Sequence, residues 1–345
     1  MKKFYIYILI SITFFSCKNA ENSININLND FQKTINLKSN KIEKINQLTP
    51  SSICVFDSII MITDYTENPR FHFYNKKTLN KIGQYGLIGK GPEEFDEPEC
   101  NCQTFKKSNS KDEFIMIYEF GYGLIHEVNL SSILRNEKSS KINKFYLNPE
   151  IYNADNVYFI NDSVFGEATD NKNVKYFKSS LKNPKSFNKL GVVNNNEFLS
   201  KLPIEDKVNL DRSYMAFSKD NNKFIAAYLR YNKIKILDTQ LNEKFTILYG
   251  ESENEIKKFN LSSPQNIFYF KRPFAGKQYF YVPYIGEKNE VSTTPKEIHV
   301  FDYNGNPVNR YILDTPIRFF TVDEKQKKLY VITGQDDKPY VEYKL

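Results

Sequence analysis

Five acidic residues stand within one short stretch and form the densest group of side chains that could do chemistry. They are Glu93, Glu94, Asp96, Glu97 and Glu99. Carboxylate oxygens bind calcium, and a pair of carboxyl groups serves as the acid and base of glycoside-cleaving enzymes. A calcium site needs several converging oxygens, which one loop rarely provides. We therefore interpret this acidic loop as a candidate ligand or cation site, with calcium as the only cofactor considered and a solvated loop as the simpler alternative.

The three histidines do not form a recognisable catalytic or metal motif. His72, His126 and His299 each stand second in a recurring strand pattern, where other copies carry Lys175 and Lys235. That position accepts charge, so we expect these side chains on outer strands, at the surface or packed between sheets. No histidine is then placed to act as a base for a serine or cysteine nucleophile. The sequence predicts no catalytic residues and no metal site, and it favours a protein without enzymatic activity.

Three cysteines follow Cys17, so at least one thiol is unpaired within the chain. Cys100 and Cys102 are separated by one residue, which does not match a zinc knuckle, and no second ligand pair exists. A disulfide from Cys54 to either of them would suit an oxidising compartment. The sequence does not decide the pairing, and we favour buried, unpaired cysteines.

A glycine-rich motif overlaps the acidic loop. Gly89, Gly91, Pro92 and Phe95 belong to the pattern Gly-x-Gly-Pro-x-Glu-Phe. Glycine accepts positive φ and proline fixes φ near −65°, so the motif predicts a sharp connection. A Walker phosphate loop needs lysine followed by serine or threonine, whereas Lys90 is followed by glycine. We predict an exposed, irregular loop after a strand at 81–85, with Phe95 buried and no bound nucleotide.

The N-terminus has the layout of an export signal. A basic start precedes an apolar run at 4–15, which is too short to span a bilayer comfortably. The sequence Phe-Phe-Ser-Cys at 14–17 resembles a bacterial lipoprotein signal, which implies cleavage before Cys17 and lipidation of that residue. We predict a signal peptide at 1–16, a flexible tether at 17–30 and attachment to the membrane through the lipid. The expected location is the cell envelope at the outer membrane, with the periplasmic and surface faces both open.

Composition narrows the partners and the fold class. The net charge of +7 is spread along the chain rather than gathered on one face, so we expect no nucleic-acid binding. The 24 tyrosines and 28 phenylalanines favour strands over helices. The hydrophobic fraction of 40% is ample for a core.

An apolar five-residue unit recurs about every 50 residues. Its copies lie at 71–75, 125–129, 174–178, 234–238, 298–302 and 340–344. Two strand-like segments precede each copy and a fourth follows all but the last, which predicts an all-β, six-bladed β-propeller with four-stranded antiparallel blades as one domain at 31–345. Because the last unit lacks a fourth strand, we predict that an N-terminal strand at 33–37 completes the sixth blade and closes the ring. Seven blades, with strands hidden at 194–210 or 285–296, are the weaker alternative.

Together with the lipoprotein signal, the repeats and the motif at 89–95 resemble the six-bladed, TolB-like propeller lipoproteins of Bacteroidetes. The resemblance covers 31–345 and implies a fold and a location rather than an activity. The leading hypothesis is a lipid-anchored binding or scaffolding propeller whose ligand is a glycan, a peptide or an envelope protein. The alternative is a propeller hydrolase or lyase that uses carboxylates of the loops or channel, with calcium.

Overall fold

The computed structural model describes residues 23–137, 143–168, 175–190, 201–250, 266–288 and 291–345. These residues form the six blades that the repeats predict, each built on four antiparallel strands, and two of the blades carry one further, parallel strand. The predicted signal peptide, Cys17 and the first part of the predicted tether, at 17–22, lie outside the described residues.

The first three blades follow one another along the chain. Blade one contains Pro50–Val55, Ile59–Asp64, Phe71–Asn75 and Lys81–Tyr85. Blade two contains Pro98–Glu99 and Thr104–Lys106 as an interrupted first strand, then Glu113–Glu119, Leu124–Asn129 and Asn143–Tyr146. Blade three contains Asp155–Ile160, Ser163–Glu167, Tyr176–Ser180 and Asn183–Leu190. A small extra pair, Leu87–Ile88 with Glu94–Phe95, lies between blades one and two.

The last three blades also use strands from the N-terminal segment. Blade four contains Ser213–Ser218, Lys223–Tyr228, Lys233–Asp238 and Glu243–Tyr249. Blade five contains Ile267–Phe270 and Phe274–Ala275 as an interrupted first strand, then Tyr279–Lys288, Glu297–Asp302 and Pro307–Leu313. Blade six contains Phe319–Asp323, Lys328–Ile332, Tyr340–Lys344 and Asn40–Lys41.

The N-terminal segment runs along the outer edges of three consecutive blades. Ser23–Ile26 pairs in parallel with the fourth strand of blade four, and Lys33–Leu37 pairs in parallel with the fourth strand of blade five. Asn40–Lys41 then pairs with the third strand of blade six. The prediction that 33–37 completes the sixth blade is wrong by one blade, because a strand pattern does not show which edge the strand joins. The predicted tether is also too long, since residues 23–30 form a strand and a 3₁₀ turn on the propeller.

Each blade packs against both neighbours through apolar side chains. In the second strand of blade one, Ile59 and Met61 pack against blade two, whereas Ile60 and Ile62 pack against blade six. Successive side chains of a strand point to opposite faces, so one uninterrupted apolar strand serves both junctions. Six core clusters result, one between each pair of adjacent blades. The cluster between blades six and one includes Ile42 and closes the ring by packing.

The two ends of the propeller carry different connections. The upper face holds the connections that follow second and fourth strands, such as 65–70 and 86–97. The lower face holds the hairpins between first and second strands and between third and fourth strands, such as 219–222 and 276–278. The first strands line a central channel that runs between the two faces.

The helical elements are short. Leu130–Leu134 and Ile204–Leu210 are α-helical, and Leu28–Asp30 and Pro149–Ile151 are 3₁₀ turns. No helix in the described part of the chain has both the length and the apolar character needed to cross a bilayer.

A disulfide joins the first strand of blade one to the entry of blade two. Cys54 is bonded to Cys102, and Cys100 is a free, buried thiol. The interpretation that we favoured from the sequence, buried and unpaired cysteines, is therefore wrong for Cys54 and Cys102 and holds for Cys100. Adjacent inner strands bring the two Cα atoms to 5.1 Å, a separation that suits a disulfide. Burial raises the pKa of the Cys100 thiol to about 11, so this thiol stays protonated at neutral pH.

Candidate functional site in the central channel

The motif at 89–95 forms a turn that is closed by its own glutamate. The Glu94 carboxylate accepts a hydrogen bond from the backbone N–H of Gly91 at 2.7 Å. A Cβ atom on Gly91 would lie 2.9 Å from that carboxylate, and one on Gly89 would lie closer still. Gly89 also has φ of +145°, a region that favours glycine. The Glu94 carboxylate lies where a side chain on either glycine would begin, so Glu94 is a structural part of the loop.

Phe95 anchors the same loop at the junction of blades one and two. It is fully buried, as predicted, and its ring centroid lies 5.2 Å from that of Phe71 and 4.7 Å from that of His126. The buried guanidinium of Arg70 donates to the carbonyl oxygens of Phe95 at 3.3 Å and Asp96 at 2.6 Å. These contacts hold the blade connection in one position.

The remaining acidic residues point to different places. Asp96 accepts a hydrogen bond from the Tyr122 hydroxyl at 2.7 Å, while Glu93 and Glu97 are exposed. Glu99 lines the channel. The five acids of the acidic loop therefore do not converge on one point. In the residues that the structure describes, no group of three or more His, Cys, Asp or Glu side chains is placed to hold a metal ion.

The channel has a volume of about 1750 Å³, and two of its six walls are irregular. The first strand of blade two is interrupted at 100–103, and the first strand of blade five is interrupted at 271–273. Blades two and five are three places apart in a ring of six, so their first strands face each other across the axis. Interruptions of this kind re-aim side chains and are common near functional sites.

The two interruptions meet across the axis. Arg272 Nη1 donates to Asn101 Oδ1 at 2.9 Å, although the residues belong to opposite blades. Asn101 Nδ2 in turn donates to the carbonyl oxygen of Val157 in blade three at 2.5 Å. The disulfide at Cys102 ties the same interruption to blade one. We call Glu99, Asn101 and Arg272 the channel bridge.

The channel bridge carries two charged groups with different surroundings. One carboxylate oxygen of Glu99 is buried without a hydrogen-bond partner. Burial raises the pKa of Glu99, and the positive charge of Arg272 opposes this rise without cancelling it. Burial also acts on Arg272, but Glu99 and neighbouring groups outweigh it and raise the pKa of the guanidinium. Arg272 thus stays cationic while its side chain remains open to the water of the channel.

Other charged side chains face the upper part of the channel. Arg318 and Lys271 line it, from blades six and five. Arg212, at the entry of blade four, donates to Asp155 at 3.0 Å and lies close enough to Glu99 to act on its pKa. Cations of blades four and five therefore lie near acids of blades two and three, because these are the groups that act on the pKa of Glu99.

The family model described as "TolB-like 6-blade propeller-like" matches residues 30–325 of the chain. The chain belongs to this TolB-like propeller family. Its fold is also similar to a putative exported protein from Bacteroides fragilis, with 12% identity, a TM-score of 0.55, and coverage of 93% of this chain and 98% of that one. A DUF4221 family member from Bacteroides vulgatus gives 9% identity, a TM-score of 0.52, and coverage of 88% and 93%. At these identities the likeness shows the fold alone, and no protein of curated function matches the chain.

In this TolB-like propeller the histidines lie between blades, which is one of the two positions predicted. All three are buried, and each lies near a carboxylate. The pairs are His72 with Glu67 at 3.3 Å, His126 with Glu119 at 3.5 Å and His299 with Glu297 at 3.3 Å. Burial lowers the pKa of His72 to about 4 and also lowers the pKa of His299. Both rings are therefore neutral at pH 7 and serve the packing of the blades.

Sequence reasoning missed the channel bridge apart from Glu99. Asn101 and Arg272 are 171 residues apart and belong to no motif. The available signal was a break in pattern, since a Lys-Arg-Pro sequence at 271–273 interrupts an otherwise aromatic and apolar first strand in the TolB-like repeat. Only the ring brings that break opposite residue 101.

Proposed function

We propose that this TolB-like propeller is a lipid-anchored binding protein of the cell envelope, attached through Cys17. Its ligand is a glycan or a peptide, free or as part of an envelope protein, and it enters the upper mouth of the channel. The lipoprotein signal at 14–17 supports the anchor, and the likeness to an exported propeller supports export. Binding rather than catalysis is the role that the channel favours.

The channel bridge is the observation that carries this proposal. The Arg272 guanidinium has five N–H donors, and it is presented to an open channel by a rigid support. A guanidinium binds a carboxylate with two parallel hydrogen bonds, so we expect a ligand with a carboxylate group. The channel volume of about 1750 Å³ exceeds the roughly 300–1,000 Å³ of small-molecule sites, which favours a segment of a polymer.

A hydrolase or lyase is the second candidate, and Glu99 is the observation in its favour. Its raised pKa and its partnerless oxygen are properties of a general acid. A glycosidase also needs a second, ionised carboxylate about 5–9.5 Å away. Asp155 is the acid that acts most on the pKa of Glu99, and its carboxylate is engaged by Arg212.

Substitution of Arg272 tests the proposal. The probes are an oligosaccharide of uronic acids and a peptide with a free C-terminus, offered to the mature protein purified from membranes in detergent. Arg272→Ala is expected to weaken binding of the recognised probe about tenfold to a hundredfold, since a hydrogen bond between charged groups is worth about 1.5–3 kcal/mol. Arg135→Ala is the control, because Arg135 is exposed on the lower face and pairs with Asp112 at 2.9 Å. Titration calorimetry measures both.

Two outcomes would contradict the proposal. Undiminished binding by Arg272→Ala would mean that the ligand lies elsewhere. Cleavage of a probe by the wild-type protein, abolished by Glu99→Gln while binding persists, would establish the enzymatic alternative.

A further inference from the structure

We propose that the lower face of blades four to six lies against the anchoring membrane, in contact with anionic lipid headgroups, so that the upper mouth of the channel points away from it. This inference rests on the proposed lipid at Cys17 and concerns the orientation of the anchored propeller. Two independent observations support it: the place where the chain joins the propeller, and the charge of the inner hairpins on the same face.

The first observation is the short connection between the lipid and the fold. Ser23 is already paired with Thr246 in blade four, so six residue steps separate it from Cys17. At about 3.3–3.6 Å per residue, these steps span at most about 20 Å. The outer edge of blade four must therefore stay close to the membrane surface. A tether that extended to residue 30 would have imposed no such restriction.

The direction of the strand Ser23–Ile26 indicates which face is nearer to the membrane. Ser23–Ile26 runs parallel to Glu243–Tyr249, which rises from the lower face to the upper face. Ser23 lies opposite Thr246, the middle residue of that strand, and Ile26 lies opposite Tyr249 at its upper end, so the chain climbs toward the upper face. At Ser23 the backbone therefore comes from the direction of the lower face.

The second observation is an excess of lysine on the hairpins that join first and second strands, on the lower face of blades four to six. The exposed basic residues of the first hairpins of blades four to six are Lys219, Lys277, Lys325 and Lys327. The acidic residues of the same hairpins are Asp220 and Glu324. Glu324 is half-buried and accepts hydrogen bonds from the backbone N–H groups of Lys277 at 2.7 Å and Gln278 at 3.0 Å, so its charge is engaged within the fold. Asp220 is exposed, and Lys325 lies 3.9 Å from the exposed Asp57 of blade one. The exposed lysines of these hairpins still outnumber the exposed acids, as expected for a surface that meets anionic lipid.

Energy transfer to the membrane measures the orientation. The lipidated protein is reconstituted into phosphatidylethanolamine vesicles that contain phosphatidylglycerol and an acceptor dye on the headgroups. A donor is attached at Gln278→Cys on the lower face or at Lys296→Cys on the upper face, both exposed positions of blade five. The native free thiol, Cys100, is buried and gives a low background that an unsubstituted sample measures. We expect stronger transfer from position 278 than from position 296.

Charge reversal tests the lysines separately from the tether. Lys219→Glu, Lys277→Glu, Lys325→Glu and Lys327→Glu are combined with the donor at 278. Transfer should fall on vesicles with phosphatidylglycerol and stay unchanged on vesicles of phosphatidylcholine alone.

The outcomes separate this inference from the proposed function. Equal transfer from both donors, or stronger transfer from position 296, would overturn the orientation and leave ligand binding at Arg272 untouched. Unchanged transfer after charge reversal would overturn the headgroup contact. Failure of the wild-type protein to float with vesicles would overturn the lipid anchor and the orientation together. Loss of probe binding in Arg272→Ala is measured in detergent, so it depends neither on the anchor nor on the orientation.

Discussion

At the scale of single residues, one member of the acidic loop, Glu94, has a structural role in the turn at 89–95. At Gly89 and Gly91 the Glu94 carboxylate lies in the space that a Cβ atom would take, and Gly89 also has positive φ. Gly86, three residues earlier, is constrained in another way, since a Cβ atom there would lie 2.8 Å from the rings of both Phe71 and Phe95. Glu94, which was predicted as part of a ligand site, thus closes the turn through its hydrogen bond with Gly91. Glu99 alone among the five acids lines the channel.

Replacing Gly86 by alanine should destabilise the protein more than the same change at Gly250. Both glycines have positive φ, of +81° and +56°, which costs an alanine about 1–2 kcal/mol. A Cβ on Gly250 meets nothing within 4 Å, whereas one on Gly86 overlaps two buried rings, which adds roughly 1–3 kcal/mol. Denaturant unfolding of the two variants measures the difference. Equal losses would show that the rings move aside freely.

Acid should weaken the fold through His72. Its side chain is buried, and burial, assisted by Lys81, lowers its pKa from 6.5 in the unfolded chain to about 4. Between these values the unfolded chain binds a proton that the folded chain does not, so the free energy of unfolding falls as pH drops from 6.5 to 4, by up to about 3 kcal/mol. His72→Gln should flatten this part of the pH profile. Parallel profiles for the variant and the wild-type protein would contradict the assignment.

At the scale of elements, two features depart from a regular propeller: the N-terminal segment on the outer edges and the interrupted first strands at the channel. The segment adds parallel strands to the outer edges of blades four and five, and its Phe31 ring packs 4.8 Å from that of His299. The interruption at 100–103 carries Asn101 to the axis and is fastened at Cys102. The disulfide therefore supports the candidate site as well as the junction of blades one and two.

Removing the disulfide should cost about 2–4 kcal/mol of stability. The bond closes a loop with a sequence separation of 48 residues, and a cross-link of this span restricts the unfolded chain. The double variant Cys54→Ala/Cys102→Ala is compared with Cys100→Ala, which removes the free thiol of the same segment. Thermal unfolding should separate the two variants, and mass spectrometry of non-reduced peptides should find residues 54 and 102 linked. A link that involves residue 100 would contradict the structure.

At the scale of the whole molecule, closure of the ring determines whether the channel exists. Blade six is joined to blade one by the core cluster around Ile42 and by a buried ion pair, in which Lys76 Nζ lies 2.7 Å from Asp323 Oδ2. Both side chains are almost completely buried. This junction joins the last blade to the first, so it keeps the ring closed.

Substitution of Lys76 should show how much the junction depends on this pair. Lys76→Met leaves the Asp323 carboxylate buried without its cation, which typically costs about 3–5 kcal/mol. Lys77→Met, at the exposed neighbouring position, should change stability by less than about 0.5 kcal/mol. The double variant Lys76→Met/Asp323→Asn should recover part of the loss, because the unpaired charge is removed. Equal unfolding free energies for the two single variants would mean that the pair contributes nothing to closure.

Much of the fold was predictable because its signals are local. Second strands such as Ile59–Asp64 begin with an uninterrupted apolar run, and their spacing along the chain predicted six blades before any contact was known. The burial of Phe95 was predicted from the glycine-proline motif at 89–95 and is confirmed. Local sequence could not assign 33–37 to blade five, because a strand carries no mark of the edge that it will join.

The sequence by itself determined the number of blades and the position of the loop at 89–95, because alternation and turn chemistry act between residues close in the chain. Only the tertiary structure decided the pairing of Cys54 with Cys102, the dispersal of the acidic loop and the contact of Asn101 with Arg272. These three depend on which blades become neighbours and which face each other across the axis. That arrangement is set by the closure of the ring, to which all six blades contribute and which no single stretch of sequence encodes.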